Sequence, residues 1–195
     1  MNQNRPLVLF DVVLFALLVS IGVAGRWGQP EWGFTPIAAA TVFAGYYFAR
    51  KPIALLVPLA ILGISDLLLP AYNSVPVMLA TYAVMTVPVW FGRSLRGGQG
   101  IWAKAWRSAV CGLVPATLFY FVSNFAVWAF QSDYEKSLAG LLQCYAAAVP
   151  FYRWMLAGDV FYLAVLAGCW TLSGINLPTP ERQAFGPEVL RRKLR

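Results

Sequence analysis

Long apolar runs alternate along the chain with short stretches that contain charges, glycine and proline. A helix needs about 20 apolar residues to cross the roughly 30 Å hydrocarbon core of a bilayer. Runs that reach or approach this length cover 7–25, 36–49, 53–69, 76–92, 108–130 and 154–173. The pattern predicts an all-α polytopic bundle of six transmembrane helices.

Shorter segments complete this prediction. Thr35 and Pro36 are typical of a helix cap and a first-turn proline at the start of the second run. The apolar segment 138–149 is too short to span and precedes Pro150, which favours a re-entrant or interfacial helix. IWAKAW, at 101–106, favours a short surface helix. We expect residues 1–173 to form a single transmembrane domain and 174–195 a basic tail.

Composition agrees with a membrane protein. Hydrophobic residues make up 59% of the 195 residues and charged residues 12%, whereas soluble domains carry about 25% charged residues. The first apolar run ends in RWGQPEW, without the small-residue cleavage site of a signal peptide. The sequence therefore predicts a retained first helix, with the lipid bilayer as its partner.

The basic residues indicate an orientation. Fifteen Lys and Arg stand against eight Asp and Glu, and the Lys and Arg lie between apolar runs rather than in a nucleic-acid-binding stripe. Six spans place twelve of the fifteen on the side of the termini, and three on the other side: Arg26, Lys136 and Arg153. Positively charged loops stay in the cytoplasm. We expect a bacterial inner-membrane protein with cytoplasmic N- and C-termini and no nucleic-acid partner.

Two carboxylates lie within apolar runs on the side opposite the termini. Asp66 is about 20 Å along the third run, and Asp159 is one to two turns into the sixth, at 1.5 Å per residue. Charged residues inside membranes usually face the protein interior. The two could share a ligand, or each could form a structural ion pair with Arg26 or Arg153; the sequence leaves both readings open.

The same side is rich in aromatic and amide side chains. Aromatic residues form belts at membrane interfaces in any case, but amides, aromatic faces and carboxylates together are also the components of a small-molecule pocket. The candidate substrate-binding residues are Arg26, Trp27, Trp32, Asp66, Asn73, Asn124, Trp128, Tyr145, Arg153 and Asp159.

The first helix carries small residues at every fourth position, Ala16, Ser20 and Ala24. Small residues at this spacing allow another helix to approach closely. The approaching helix could belong to this chain or to a separate membrane subunit, so these three are candidate partner-docking residues.

The chain lacks residues that many catalytic and metal-binding sites require. The chain has no histidine, and Cys111, Cys144 and Cys169 lack CxxC spacing, which argues against a zinc site and against imidazole catalysis. Paired aspartates occur in intramembrane aspartyl proteases with a GxGD pattern, but here Gly158-Asp159 is preceded by Leu156 where that pattern has glycine. We expect no enzyme activity, no metal and no cofactor.

Several segments carry a family resemblance. FTPIAA, LGISDLLL, VSNFAVW and GLLQCYAAAVPFYRWMLAGD, over roughly residues 20–170, resemble a bacterial membrane family with a domain of unknown function. The six-helix pattern and the small-residue first helix also resemble the substrate-binding S components of energy-coupling-factor vitamin transporters. That resemblance implies a pocket open to the outside and capped by the first outer loop. It also implies docking of the first helix on a transmembrane coupling subunit driven by ATPases.

These features favour binding and uptake of a small nutrient, such as a vitamin or its precursor, as the function. A structural or assembly subunit of a membrane complex is the alternative, because close helix packing and interfacial aromatics serve that role equally well.

Overall fold

A computed structural model describes residues 5–48, 52–97 and 101–173 of the chain. These residues form seven α-helices and one short 3-10 helix, Leu95–Gly97, and the described part contains no strand. The α-helices are α1 (Arg5–Trp27), α2 (Ile37–Phe48), α3 (Ile53–Ser65), α4 (Val75–Thr86), α5 (Pro88–Ser94), α6 (Ile101–Phe130) and α7 (Leu138–Leu172). The basic tail predicted at 174–195 lies outside the described residues, as do Arg50 and Lys51.

Four segments of the described chain are long and apolar enough to cross a membrane. They are Leu9–Trp27, Val75–Ser94, Trp106–Phe130 and Leu138–Leu172. The prediction of an all-helical protein with membrane-type helices is therefore confirmed. Six full-length spans are not found, because α2 and α3 have 12 and 13 residues and reach only about 20 Å at 1.5 Å per residue.

The prediction of a separate short helix at 138–149 is wrong. Helix α7 runs without interruption for 35 residues through Pro150. Proline removes a single backbone N–H, and a long helix can continue past it with a local bend. The residues IWAKAW do not form a separate surface helix either. They are the first residues of α6, a helix of 30 residues that also continues through a proline, Pro115.

Two other boundaries in the structure differ from the predicted ones. The fourth run divides at Val87 into α4 and α5, where Pro88 occupies the first turn of the second helix, a position that proline favours. The third run stops being helical at Ser65, and residues 66–69 form turns that lead into the next loop. This early end places Asp66 at the helix terminus rather than inside a span.

Helix α2 lies at the centre of the bundle. Ten of its twelve residues are buried, and it packs against α1, α3, α5 and α7. Glycine makes the tightest of these contacts possible. A Cβ atom at Gly45 would overlap the carbonyl oxygen of Val89, and one at Gly92 would overlap that of Val42.

Side-chain contacts define the two ends of the bundle. At one end, here called the Arg26 end, the last turn of α1 meets the end of α3 through Arg26 and Asp66. At the other end, the Tyr47 hydroxyl of α2 donates to the Asp11 carboxylate of α1 over 3.1 Å. We call this the Asp11 end.

Helices α6 and α7 continue past the Arg26 end as an antiparallel pair. Tyr120 of α6 donates to the carbonyl of Tyr145, and Tyr145 donates back to that of Phe121. From Met155 to Leu138 α7 covers about 25 Å at 1.5 Å per residue. We call residues 120–150 the α6–α7 extension; large exposed apolar side chains on it are Phe121, Phe125, Phe130, Leu138, Leu142 and Val149.

Candidate ligand cavity

A cavity of about 500 Å³ opens at the Arg26 end of the bundle. Its walls come from α1, α2, α3, α4, α6, α7 and the loops that follow α1 and α3. The lining residues are Arg26, Gln29, Trp32, Gly33, Thr35, Ile37, Leu62, Asp66, Leu69, Pro70, Tyr72, Thr81, Met85, Phe119, Phe151 and Met155.

An ion pair forms the polar wall of the cavity. The Nη1 atom of Arg26 lies 2.6 Å from Oδ1 of Asp66 and 2.6 Å from Oγ of Ser65. The second carboxylate oxygen of Asp66 accepts a hydrogen bond from the Tyr82 hydroxyl over 2.8 Å. Both charged side chains are largely buried, with 14% and 19% of their surface exposed. The pair therefore fixes the ends of α1, α3 and α4 relative to one another.

Trp27 strengthens the same junction. Its Nε1 donates to the backbone carbonyl of Ser65 over 3.0 Å, and Ser65 in turn donates to the carbonyl of Ile61 within its own helix. Trp27 therefore supports the cavity wall from behind and is not among the residues that line it.

The loop after α1 covers one side of the cavity mouth. The side chain of Gln29 accepts a hydrogen bond from the backbone N–H of Gly33 over 2.9 Å, which closes the loop on itself. Gly33 has a φ of 95°, in the left-handed region that favours glycine. A Cβ atom there would lie 3.2 Å from the carbonyl oxygen of Phe151, so the loop sits directly against α7.

Tyr72 and Thr81 supply uncharged polar groups. Both residues line the cavity, together with Arg26. Burial of Tyr72, and then the nearby Asp66 carboxylate, raise the pKa of this tyrosine above its ordinary value of 10.0. The hydroxyl therefore stays protonated at neutral pH and can both donate and accept a hydrogen bond.

Apolar side chains form the deeper part of the cavity. Ile37, Leu62 and Met85 are buried, and Phe119 and Met155 close the side of α6 and α7. A mostly apolar cavity with a few convergent polar groups is the usual construction of a small-molecule site.

The structure brings together some of the predicted binding residues. Arg26, Trp32 and Asp66 line the cavity. Asp66 forms an ion pair with Arg26, which was one of the two readings that the sequence left open. Asn73 lies exposed in the loop before α4 and is not among the lining residues.

Three other candidates lie on the α6–α7 extension, away from the cavity. Asn124 donates to the carbonyl of Tyr120 one turn earlier in α6. Trp128 donates to the carbonyl of Glu135 in the loop between α6 and α7. Tyr145 makes the cross-helix bond described above. All three side chains make backbone hydrogen bonds that stabilise the extension.

Arg153 and Asp159 do not form a pair with each other. Arg153 is exposed, and its guanidinium lies 5.4 Å from the ring centroid of Trp154. Asp159 is buried, with 4% of its surface exposed, and its Oδ2 has no hydrogen-bond partner in the described part of the chain. The preceding Gly158 packs against the backbone of Phe34 and Thr35. Asp159 therefore lies about one turn deeper than Met155, below the cavity.

The small residues of α1 point away from the bundle. Ala16, Ser20 and Ala24 are exposed, whereas Leu18 and Gly22 face the interior. The reading in which the small ridge packs against another helix of this chain is therefore wrong for the described residues. Either a helix of a separate protein or lipid would therefore contact the small residues of α1.

Sequence reasoning missed several lining residues. Gln29, Thr35, Thr81, Met85 and Met155 were not candidates, although all line the cavity. Thr81 offered a signal, as a polar residue in the middle of an apolar run. No comparable signal marked Met85 or Met155, because methionine in an apolar run is ordinary core composition.

A metal centre has no support in the part of the chain that the structure describes. Among those residues, no three His, Cys, Asp or Glu side chains lie close enough together to hold an ion. The three cysteines are unpaired thiols, and two of them, Cys111 and Cys144, are buried.

Comparison with known proteins gives one result. The model of a family described as a family of unknown function (DUF6580) matches residues 2–180. No curated protein and no solved structure matches the chain. The match covers the segments that carry the family resemblance in the sequence, and it provides no link to S components.

Proposed function

This chain belongs to DUF6580, a family of unknown function, and we propose that it is a membrane protein that binds a small nutrient for uptake. The cavity at the Arg26 end is the observation that carries this proposal. Its volume of about 500 Å³ lies within the range of roughly 300–1,000 Å³ that small-molecule sites occupy. The proposed role is that of a binding subunit, similar to an S component, and not of an enzyme.

The positions of basic residues support an outward-facing cavity. Arg26, Lys136 and Arg153 lie at the Arg26 end or on the α6–α7 extension. Arg93, Arg96 and Arg107 lie towards the Asp11 end, where Arg96 donates to the carbonyl of Tyr47 and Arg107 to that of Ser94. Because Lys and Arg are retained in the cytoplasm, we infer an inner-membrane protein with cytoplasmic termini and a cavity open to the outside.

The exposed ridge on α1 supports coupling to a second membrane protein. Ala16, Ser20 and Ala24 leave a shallow surface on which another helix can pack closely. In the proposed role, that helix belongs to a transmembrane coupling subunit powered by ATPases.

A structural or assembly subunit is the second candidate function. The α6–α7 extension favours it, because Phe121, Phe125 and Phe130 are each at least half exposed on a helix that continues past the cavity. In that role, the extension would pack against another membrane protein and the cavity would have no ligand.

Small molecules that co-purify with the protein distinguish the two roles. We expect mass spectrometry of mildly extracted protein to detect a bound small molecule. Met155→Trp should abolish it, because the larger side chain fills the cavity from α7. Leu142→Trp is the matched control, since Leu142 is 61% exposed on the extension. A ligand-free wild-type protein, or a ligand retained by a folded Met155→Trp variant, would contradict the proposal.

A further inference from the structure

The charges that face the cavity cancel. Among the described residues that line it, Arg26 and Asp66 are the two with a formal charge, and their side chains are bonded to each other at 2.6 Å. The wall around a bound molecule therefore carries no net charge. This balance limits the kind of ligand that the cavity can hold.

The two charges are also already engaged. One carboxylate oxygen of Asp66 is bonded to Arg26 and the other to Tyr82. The Nη1 atom of Arg26 bonds Ser65 as well as Asp66. A charged ligand would therefore have to compete with these bonds, or add a net charge to a largely apolar site whose own charges already cancel, and both are unfavourable.

Neutral hydrogen-bonding groups lie beside the ion pair. Gln29 uses its carbonyl oxygen to accept from Gly33, so its amide nitrogen is the donor that it can offer to a ligand. Thr35, Tyr72 and Thr81 contribute hydroxyl groups, which donate and accept. These groups recognise an uncharged polar end such as an amide or a hydroxyl.

The remaining lining is largely apolar and partly aromatic. Helices α2, α3 and α4 contribute Ile37, Leu62 and Met85, and α6 and α7 contribute Phe119 and Phe151. Burying an apolar ring or chain against these side chains is favourable in proportion to the area removed from water. The cavity thus has one polar wall and a larger apolar remainder.

We propose that the cavity selects an uncharged amphipathic molecule, with an amide or hydroxyl end facing the Arg26–Asp66 wall and an apolar body among the hydrophobic side chains. This inference rests on the proposed function and specifies its ligand class.

Four probes that differ in charge but share a phenyl ring test the class. They are 3-phenylpropionamide, 3-phenylpropionate, 3-phenylpropylamine and phenylalanine. Calorimetric titration into the protein in lipid nanodiscs, with Met155→Trp as the blank, measures binding in the cavity. We expect the uncharged amide to bind at least about tenfold more tightly than each charged or zwitterionic probe, because only the amide brings no formal charge into the cavity.

A variant that adds a negative charge to the cavity wall provides a second test of the ligand class. Gln29→Glu keeps an oxygen that can accept the hydrogen bond from the Gly33 N–H and gives the wall a net negative charge, so the preference should shift to 3-phenylpropylamine. Gln143→Glu, on the exposed surface of the extension, should leave the order of affinities unchanged.

The outcomes separate this inference from the proposed function. Equal binding of all four probes, blocked by Met155→Trp, would retain a ligand cavity but overturn the uncharged class. So would binding of the anion or the cation in preference to the amide, or an unchanged preference in Gln29→Glu. Failure of all four probes to bind would also overturn the ligand class. The co-purification experiment on wild type and Met155→Trp then decides the proposed function separately.

Discussion

Helices α2 and α7 have similarly apolar sequences but opposite surroundings. Ten of the twelve residues of α2 are buried, whereas four of the thirty-five residues of α7 are buried: Gly140, Cys144, Gly158 and Asp159. Small residues explain the enclosure of α2, because Ala and Gly at its surface allow neighbouring backbones to approach. Hydrophobicity thus indicates a membrane protein, but side-chain size decides which helix lies inside.

The cavity forms where these two kinds of helix meet. The first residues of α2 contribute Ile37, and the middle of α7 contributes Phe151 and Met155. One wall is therefore part of a tightly packed core, and the other belongs to a long helix of which few residues are buried.

Substitution of a glycine in the α2–α5 contact should be the most damaging. Gly92→Ala places a Cβ atom on the carbonyl oxygen of Val42, so the backbones must separate. Overpacking usually costs about 1–3 kcal/mol when side chains can shift. The cost should be larger here, because the atom that would be displaced belongs to the backbone. We expect loss of folded protein in a thermal-unfolding and size-exclusion assay.

Gly168→Ala is the matched control on α7. No atom lies within 4 Å of the Cβ atom that it would add, and alanine favours a helix over glycine by about 0.5–1 kcal/mol. Unfolding temperature should stay the same or rise. Equal damage from the two substitutions would remove the distinction between the packed core and the long helix.

Neutralising one member of the ion pair should have an intermediate effect. Asp66→Asn leaves Arg26 without its carboxylate partner, and the cost should lie between about 1 kcal/mol for an exposed pair and about 3–5 kcal/mol for a buried one. Asp133→Asn, in the exposed loop between α6 and α7, should change stability by less than about 0.5 kcal/mol. Denaturation of both variants in the same detergent makes the comparison. A stable Asp66→Asn variant would mean that the pair does not hold α1 and α3 together.

Alkaline pH should weaken the cavity wall by a smaller amount. The pKa of Tyr72 is raised above 10.0 by burial and by Asp66, so the unfolded chain releases this proton first as pH rises through 10. Stability is therefore fully present below pH 10 and falls above it. The fall between pH 10 and 11 should be smaller in Tyr72→Phe than in wild type. An identical decline in both proteins would contradict the buried position of Tyr72.

The α1 ridge should be the most tolerant position. Ser20→Leu adds a side chain on an exposed face, so unfolding temperature and ligand content should remain unchanged. The same substitution should prevent co-purification with a coupling subunit if a partner helix docks there. A destabilised Ser20→Leu variant would contradict the exposed position of the ridge, and normal partner binding would rule out docking on it.

The family and the helical class could be predicted from the sequence, and three of the ten candidate binding residues line the cavity. The predicted membership in a membrane family of unknown function is confirmed. Arg26, Trp32 and Asp66 were found because charged or aromatic residues at the end of an apolar run stand out. Their convergence depends on a tertiary contact between α1 and α3, which hydropathy alone does not specify.

The errors have physical causes. Pro150 was taken as a helix end, yet α7 continues because its neighbours preserve the remaining backbone hydrogen bonds. That continuation carries Tyr145 past the cavity, beside the end of α6 that holds Trp128, and each of these two side chains donates to a backbone carbonyl. The hydropathy pattern also predicted a span at α2, although this helix has twelve residues, and small side chains allow ten of them to be buried.

The proposed function requires that the ligand cavity face the outside of the cell. Labelling with a membrane-impermeant maleimide in right-side-out vesicles tests this orientation, in a background with Cys111, Cys144 and Cys169 changed to alanine. Gln29→Cys reports on the cavity mouth, and Ser94→Cys reports on the exposed end of α5 on the opposite side. We expect Gln29→Cys to be labelled in sealed vesicles and Ser94→Cys only after permeabilisation. Labelling of Ser94→Cys in sealed vesicles, with Gln29→Cys protected, would contradict an outward-facing cavity.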